Sequence, residues 1–92
     1  MVRAIVLYDD EPDAARYEQH VELCRKVAGA TFHHGKVFGA PIGEPRYRYY
    51  AEWEWPDLDA FKSAARSEEF KATGKDAMEM GGSFTVMFAD VD

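Results

Sequence analysis

The sequence predicts an α+β fold of order β-α-β-β-α-β, with one four-stranded antiparallel sheet and the helices on one of its faces. Three observations carry this reading. A β-branched apolar run opens the chain at Val2–Tyr8, an amphipathic helical stretch follows it, and a strongly alternating strand lies mid-chain at Arg46–Trp55.

Val2–Tyr8 has no helical period and reads as a strand buried on both faces. The cluster Asp9–Asp13 supplies acids for the positive end of a helix dipole, with Pro12 suited to a first helical position. The helix expected over Pro12–Ala28 gathers Ala14, Tyr17, Val21, Cys24, Val27 and Ala28 into an arc about 140° wide at 100° per residue. His20 is the one polar residue inside that arc, and Gly29 is expected to end the helix.

Ala30–Phe38 reads as the second strand, with a bulge possible at Gly35. Gly39–Pro45 is a turn-rich loop. In the third strand Tyr47, Tyr49, Ala51, Trp53 and Trp55 share one face, while Arg46, Arg48, Tyr50, Glu52 and Glu54 share the other. Pro56–Asp57 opens a second helical stretch, which Ser67, a fresh N-cap, divides in two. Gly81–Gly82 precede the last strand, Ser83–Ala89.

Helices on one face leave the other face bare, yet both alternating sets of the first and last strands are largely apolar. A second copy packed sheet to sheet would cover that surface, so a homodimer is expected. The 92 residues are expected to form a single domain, residues 1–92, and 47% of them are apolar. That is more apolar surface than one small core easily hides, which points to an interface or a pocket for a small apolar ligand.

A net charge of −6 without a basic stripe argues against nucleic acid as a partner. The chain shows neither a signal-peptide pattern nor a run of membrane-spanning length, so a cytoplasmic protein with no membrane partner is expected. The glycines at 29, 35, 39 and 43 form no G-x-G-x-x-G phosphate loop, so no tightly bound cofactor is expected.

His20 is the candidate catalytic residue, because an imidazole held in an apolar cleft can exchange a proton near neutral pH. Burial there would lower its pKa and a nearby carboxylate would raise it, and the sequence does not say which acts. The bland alternative is a half-buried histidine bonded to a backbone carbonyl or a tyrosine. The candidate substrate-binding residues are Tyr8, Tyr17, His33, Tyr49 and Trp53. His33 and His34 are neighbours in a strand and face opposite ways, so they cannot share one metal, and no metal site is expected. Aromatics of the third strand are expected partly in the dimer interface and partly in the cleft. Cys24 reads as core, and Met78, Met80 and Met87 as adaptable filler.

Four strings in order resemble the EthD family of dimeric α+β barrel proteins, whose protomers are ferredoxin-like. They are A-I-V-L-Y, then E-P-D-A-A-R-Y-E-Q-H-V-E-L-C-R-K-V-A-G with His20 nine residues before Gly29, then Y-Y-A-E-W-E-W-P-D-L-D-A-F, and finally K-D-A-M-E-M-G-G-S-F-T-V-M-F. Ala28 stands where the family usually has proline, and Met80 where an aromatic is common. The resemblance implies a homodimer with a cleft between sheet and helices in each subunit. It also implies a role in small-molecule metabolism, of the cofactor-free oxidoreductase or oxygenase, cyclase or lyase kind. A non-catalytic carrier serving an oxygenase and a purely structural dimer are the alternatives.

Overall fold

A computed structural model describes residues Met1–Asp92. Val2–Tyr8 forms strand β1, Ala14–Arg25 helix α1, Thr31–Lys36 strand β2 and Tyr49–Trp55 strand β3. Leu58–Ala65 forms α2, Glu68–Met80 α3 and Phe84–Asp90 strand β4. The strands lie in the order β2-β3-β1-β4, every pair antiparallel, which is the ferredoxin-like arrangement expected.

Strand β1 pairs on both sides, with Val6 opposite both Ala51 and Val86. Val2, Ala4, Val6 and Tyr8 face the helices and are buried, while Arg3, Ile5 and Leu7 face the other way and are half-buried. The core joins that inner set to Phe32, Ala51, Trp53 and Trp55 of the sheet and to Tyr17, Cys24, Val27 and Ala64 above it. Both indoles find partners at the end of α1: Trp53 Nε1–H donates to the Cys24 carbonyl at 2.9 Å and Trp55 Nε1–H to the Ala28 carbonyl at 3.3 Å. Carbonyls in the last turn of α1 and in the turn after it thereby seat the two largest core side chains.

Helix α1 is shorter at both ends than Pro12–Ala28. Asp13 takes the cap position, its Oδ2 accepting from the Arg16 N–H at 3.0 Å, so Pro12 precedes the helix instead of opening it. The helix stops at Arg25, and Gly29, at φ 75°, ends the turn that follows. Ala14 and Ala28 are accordingly exposed, outside the buried face they were expected to share. The second helical stretch breaks where expected. Ser67 Oγ–H donates to the Ala64 carbonyl at 2.6 Å, and the same oxygen accepts from the Phe70 N–H at 3.2 Å.

Strand β2 carries no bulge: its register against β3 runs unbroken from Thr31–Glu54 to Lys36–Tyr49, through Gly35. The register also settles its facing. Phe32 and His34 stand opposite Trp53 and Ala51 on the helix side, and His33 stands opposite Glu52 on the open side. Strand β3 begins at Tyr49, later than Arg46, leaving Tyr47 outside the regular strand. Its aromatics Tyr49, Trp53 and Trp55 all lie on the helix side, and Tyr50 is the aromatic of β3 on the open face.

The open face carries Ile5, Leu7, Tyr50, Met87 and Ala89, crossed by Arg3, which bonds Glu54 at 3.0 Å and lies 3.8 Å from Glu52. No helix covers the inner face of edge strand β4 completely, and Val86 and Phe88 are 46% and 58% exposed there. No helix is long and apolar enough to cross a membrane.

Candidate active site

A cavity of about 120 Å³ lies between α3 and the β1–β4 side of the sheet. Val6 and Tyr8 of β1, Trp53 of β3 and Phe84, Val86 and Phe88 of β4 form its floor. Phe70, Thr73, Gly74 and Ala77 of α3 form its roof, and His20 of α1 closes one end. Thr73 returns its hydroxyl proton to the Phe70 carbonyl at 2.6 Å, as helical threonines do. Gly74 leaves room: a β-carbon there would meet nothing within 4 Å.

His20 is 3% exposed and held by a carboxylate. Its Nδ1 lies 2.8 Å from Asp76 Oδ2. Asp76 is itself gripped from the other side by Arg16, whose Nη2 and Nη1 donate to Oδ1 at 2.6 Å and Oδ2 at 3.1 Å. The guanidinium holds the Asp76 carboxyl below the usual carboxylate value; burial opposes this, and the bond to His20 adds to it. An ionised Asp76 can only accept, so Nδ1 carries a proton, and in the neutral imidazole the lone pair is on Nε2. Nε2 makes no hydrogen bond within the chain, and no fully buried side-chain nitrogen or oxygen lacks a partner. Nε2 is therefore not sealed off, and His20 is one of the residues that line the cavity.

The bland expectation for His20, a bond to a carbonyl or a tyrosine, is thus replaced by a bond to a carboxylate. Neither Asp76 nor Arg16 was singled out from the sequence. The only local signal for Asp76 is its place three residues after buried Thr73 and beside buried Ala77, on the edge of the inward face of α3. Arg16, one position before Tyr17, sits on the corresponding edge of α1.

Of the other candidates, Tyr8 and Trp53 line the same cavity as His20. Tyr17 packs on both His20 and Tyr8, at ring distances of 5.5 and 5.6 Å, and its hydroxyl donates to the Tyr8 oxygen at 3.4 Å. Burial raises the pKa of both phenols, so both keep their protons at neutral pH. Tyr17 and Tyr49 line a second, larger groove of about 500 Å³ together with His34. There the Tyr49 hydroxyl and His34 Nδ1 share a hydrogen bond at 2.8 Å, and burial lowers the His34 pKa and raises that of Tyr49. His33 joins neither cavity, since its strand position turns it to the open face; the pocket place expected of it belongs to His34. Burial pushes the Cys24 thiol up to about 12, which leaves it a core thiol at neutral pH. No group of three or more His, Cys, Asp and Glu side chains is arranged to hold a metal ion.

No family model and no curated protein matches the chain. Among solved structures, a dimeric ferredoxin-like protein of unknown function from Jannaschia sp. CCS1 is 19% identical, with a TM-score of 0.73 and 98% of each chain covered. A hydroxynitrile lyase from Passiflora edulis is 14% identical, with a TM-score of 0.76 over 99% of this chain and 93% of that one. These two share the fold. An ethyl tert-butyl ether D (EthD) family protein from Bacillus halodurans C-125 is 30% identical, with a TM-score of 0.83 over 100% of this chain and 99% of that one. At that identity and coverage, the chain belongs to the EthD family.

Proposed function

We propose that this EthD family member binds a small, neutral, apolar molecule in the cavity beside α3 and moves a proton to or from it at His20. The observation that carries the reading is the Asp76–His20 pair: a carboxylate fixes the tautomer at Nδ1 and leaves Nε2 without a partner, on a residue that lines an apolar cavity. Asp76 also offsets the charge that the imidazole acquires when it takes a proton. An occluded or fully bonded ring would have favoured a carrier.

The cavity sets the size of the substrate. An engineered cavity of about 150 Å³ accommodates benzene, so about 120 Å³ suits one small ring or a short chain, with larger parts leaving along exposed Val86 and Phe88. Proton transfer of this kind is a step shared by cyclase, lyase and cofactor-free oxygenase reactions, and the transfer itself calls for no cofactor. Two copies would pair through the open sheet face, where Ile5, Leu7, Tyr50 and Met87 gather.

The test is a panel of cyclic, aromatic, ether and polyketide-type compounds, screened for binding by shifts of the His20 ring protons and for turnover. Turned-over compounds should lose roughly 10²–10⁴-fold in rate with His20→Ala. Binding without turnover across the panel would make the protein a carrier. Full activity in the variant would remove His20 from the mechanism.

A further inference from the structure

Resting on the reading of His20 as the base, we infer that Tyr8 is the hydrogen-bond donor opposite it, and that the pair is built for carbonyl compounds with a removable proton next to the carbonyl. The one side-chain hydrogen bond at Tyr8 is its long 3.4 Å contact with the Tyr17 hydroxyl, so one O–H of the pair is left undonated. With Tyr17 as donor in that contact, the free O–H is that of Tyr8, the member of the pair that lines the cavity. Tyr8 and His20 both line the cavity, and both pack on Tyr17, which holds them to one another's vicinity. The rest of the wall offers no competing free donor: the Trp53 N–H is taken by the Cys24 carbonyl and the Thr73 O–H by the Phe70 carbonyl.

An apolar chamber with one lone pair and one free O–H suits a neutral molecule that carries an acidic C–H and a single strong acceptor close together. In the step drawn, His20 Nε2 takes the proton from the α-carbon and the C–H electron pair becomes the carbon–carbon double bond of an enolate. The former carbonyl π pair moves to oxygen, which the Tyr8 O–H stabilises. Return of a proton from His20 to the same carbon restores the ketone. Burial raises the pKa of Tyr8, so the phenol remains a donor and does not ionise under the charge it faces.

Cyclohexanone in deuterium oxide near neutral pH is the probe, followed by NMR for α-hydrogen exchange and by infrared spectroscopy for the carbonyl stretch of the bound ketone. The wild type should accelerate exchange over buffer and move the stretch to lower frequency. Tyr8→Phe should bind the ketone, return the stretch toward its apolar value and lose roughly 10²–10³-fold in exchange. His20→Ala should abolish exchange while keeping the shifted stretch. Exchange at the wild-type rate in Tyr8→Phe, or an unshifted stretch in the wild type, overturns the role of Tyr8; the second result decides even if the variant fails to fold. A wild type that binds the ketone without exchanging it overturns the carbonyl assignment alone. Undiminished exchange in His20→Ala would overturn the underlying assignment of the base.

Discussion

His20 and Asp76, separated by 56 positions in the chain, meet at 2.8 Å where α1 crosses α3. The contact joins the most buried imidazole of the molecule to a carboxylate whose other oxygen is occupied by Arg16 at 2.6 Å. Orientation and charge are thus delivered to His20 from outside the cavity, while the cavity wall stays apolar.

Asp76→Asn should therefore harm chemistry more than binding. An amide can still fill the space, but it cannot offset a positive imidazole and can present the wrong group to Nδ1. A rate loss of roughly 10²–10⁴-fold with little change in ligand affinity is expected. Steady-state kinetics on any substrate found, beside a binding titration, checks it; a loss of affinity alone would point to a binding role.

The same carboxylate should shape acid stability. Its folded pKa is depressed, first by Arg16, so its contribution is fully present above the unfolded value near 4. That contribution is lost as pH falls from there through the lower folded value. Denaturant unfolding of wild type and Asp76→Asn should thus differ at pH 6–7, with the gap narrowing as pH falls below 4. A gap that does not narrow would remove Asp76 ionisation as the cause.

The face of α1 can be tested with neighbouring residues. Tyr17 is 3% exposed and Glu18 is exposed. Tyr17→Asp would put an unpaired carboxyl among Tyr8, His20 and Tyr49 and should cost about 3 kcal/mol or more. Glu18→Ala should stay within about 0.5 kcal/mol of the wild type. Thermal melts of the two variants give the comparison, and equal midpoints would place the helix face elsewhere.

The sequence was informative wherever one element's own pattern decides the matter. Val2–Tyr8 is bounded as read, and Ser67 caps α3 as its spacing implied. The reading overran α1, because Pro12 and Gly29 are helix-boundary residues that here belong to the flanking turns, and Asp13 alone sets the start. Alternation in β3 grouped Tyr49, Trp53 and Trp55 correctly but could not say which face the helices would cover; that depends on the pairing with β1 and β2. His20 was legible as a polar intruder on an apolar arc. Its partner was not, since Asp76 is one of 17 acidic residues and only the packing of α1 on α3 distinguishes it from the rest.

Two sheets packed on their open faces should yield a dimer that hides more than about 1,000 Å² in total. Ile5 of inner strand β1 and its cross-strand neighbour Met87 of edge strand β4 both lie on that face. Ile5→Lys would bring a charge into that contact and should shift the protein toward monomer while leaving each protomer folded. Sedimentation of the wild type at micromolar concentration should give the dimer mass. A wild-type monomer would refute the pairing, and a dimeric Ile5→Lys would move the interface to another surface.

Gly74 separates stability from function. It sits inside α3 and lines the cavity roof, where a β-carbon would meet nothing within 4 Å. Glycine in a helix interior is about 1 kcal/mol less favourable than alanine, so Gly74→Ala should stabilise the fold by roughly 0.5–1 kcal/mol. The added methyl group would project toward the space the ligand is expected to use. A cavity of about 120 Å³ has little to spare, so affinity for ring-sized ligands should fall several-fold while the smallest ligands are unaffected. Denaturant melts and binding titrations with a size series measure both effects. Higher stability with unchanged affinity across the series would mean that the ligand does not lie under α3, and the site would have to be sought in the groove beside Tyr17 and His34.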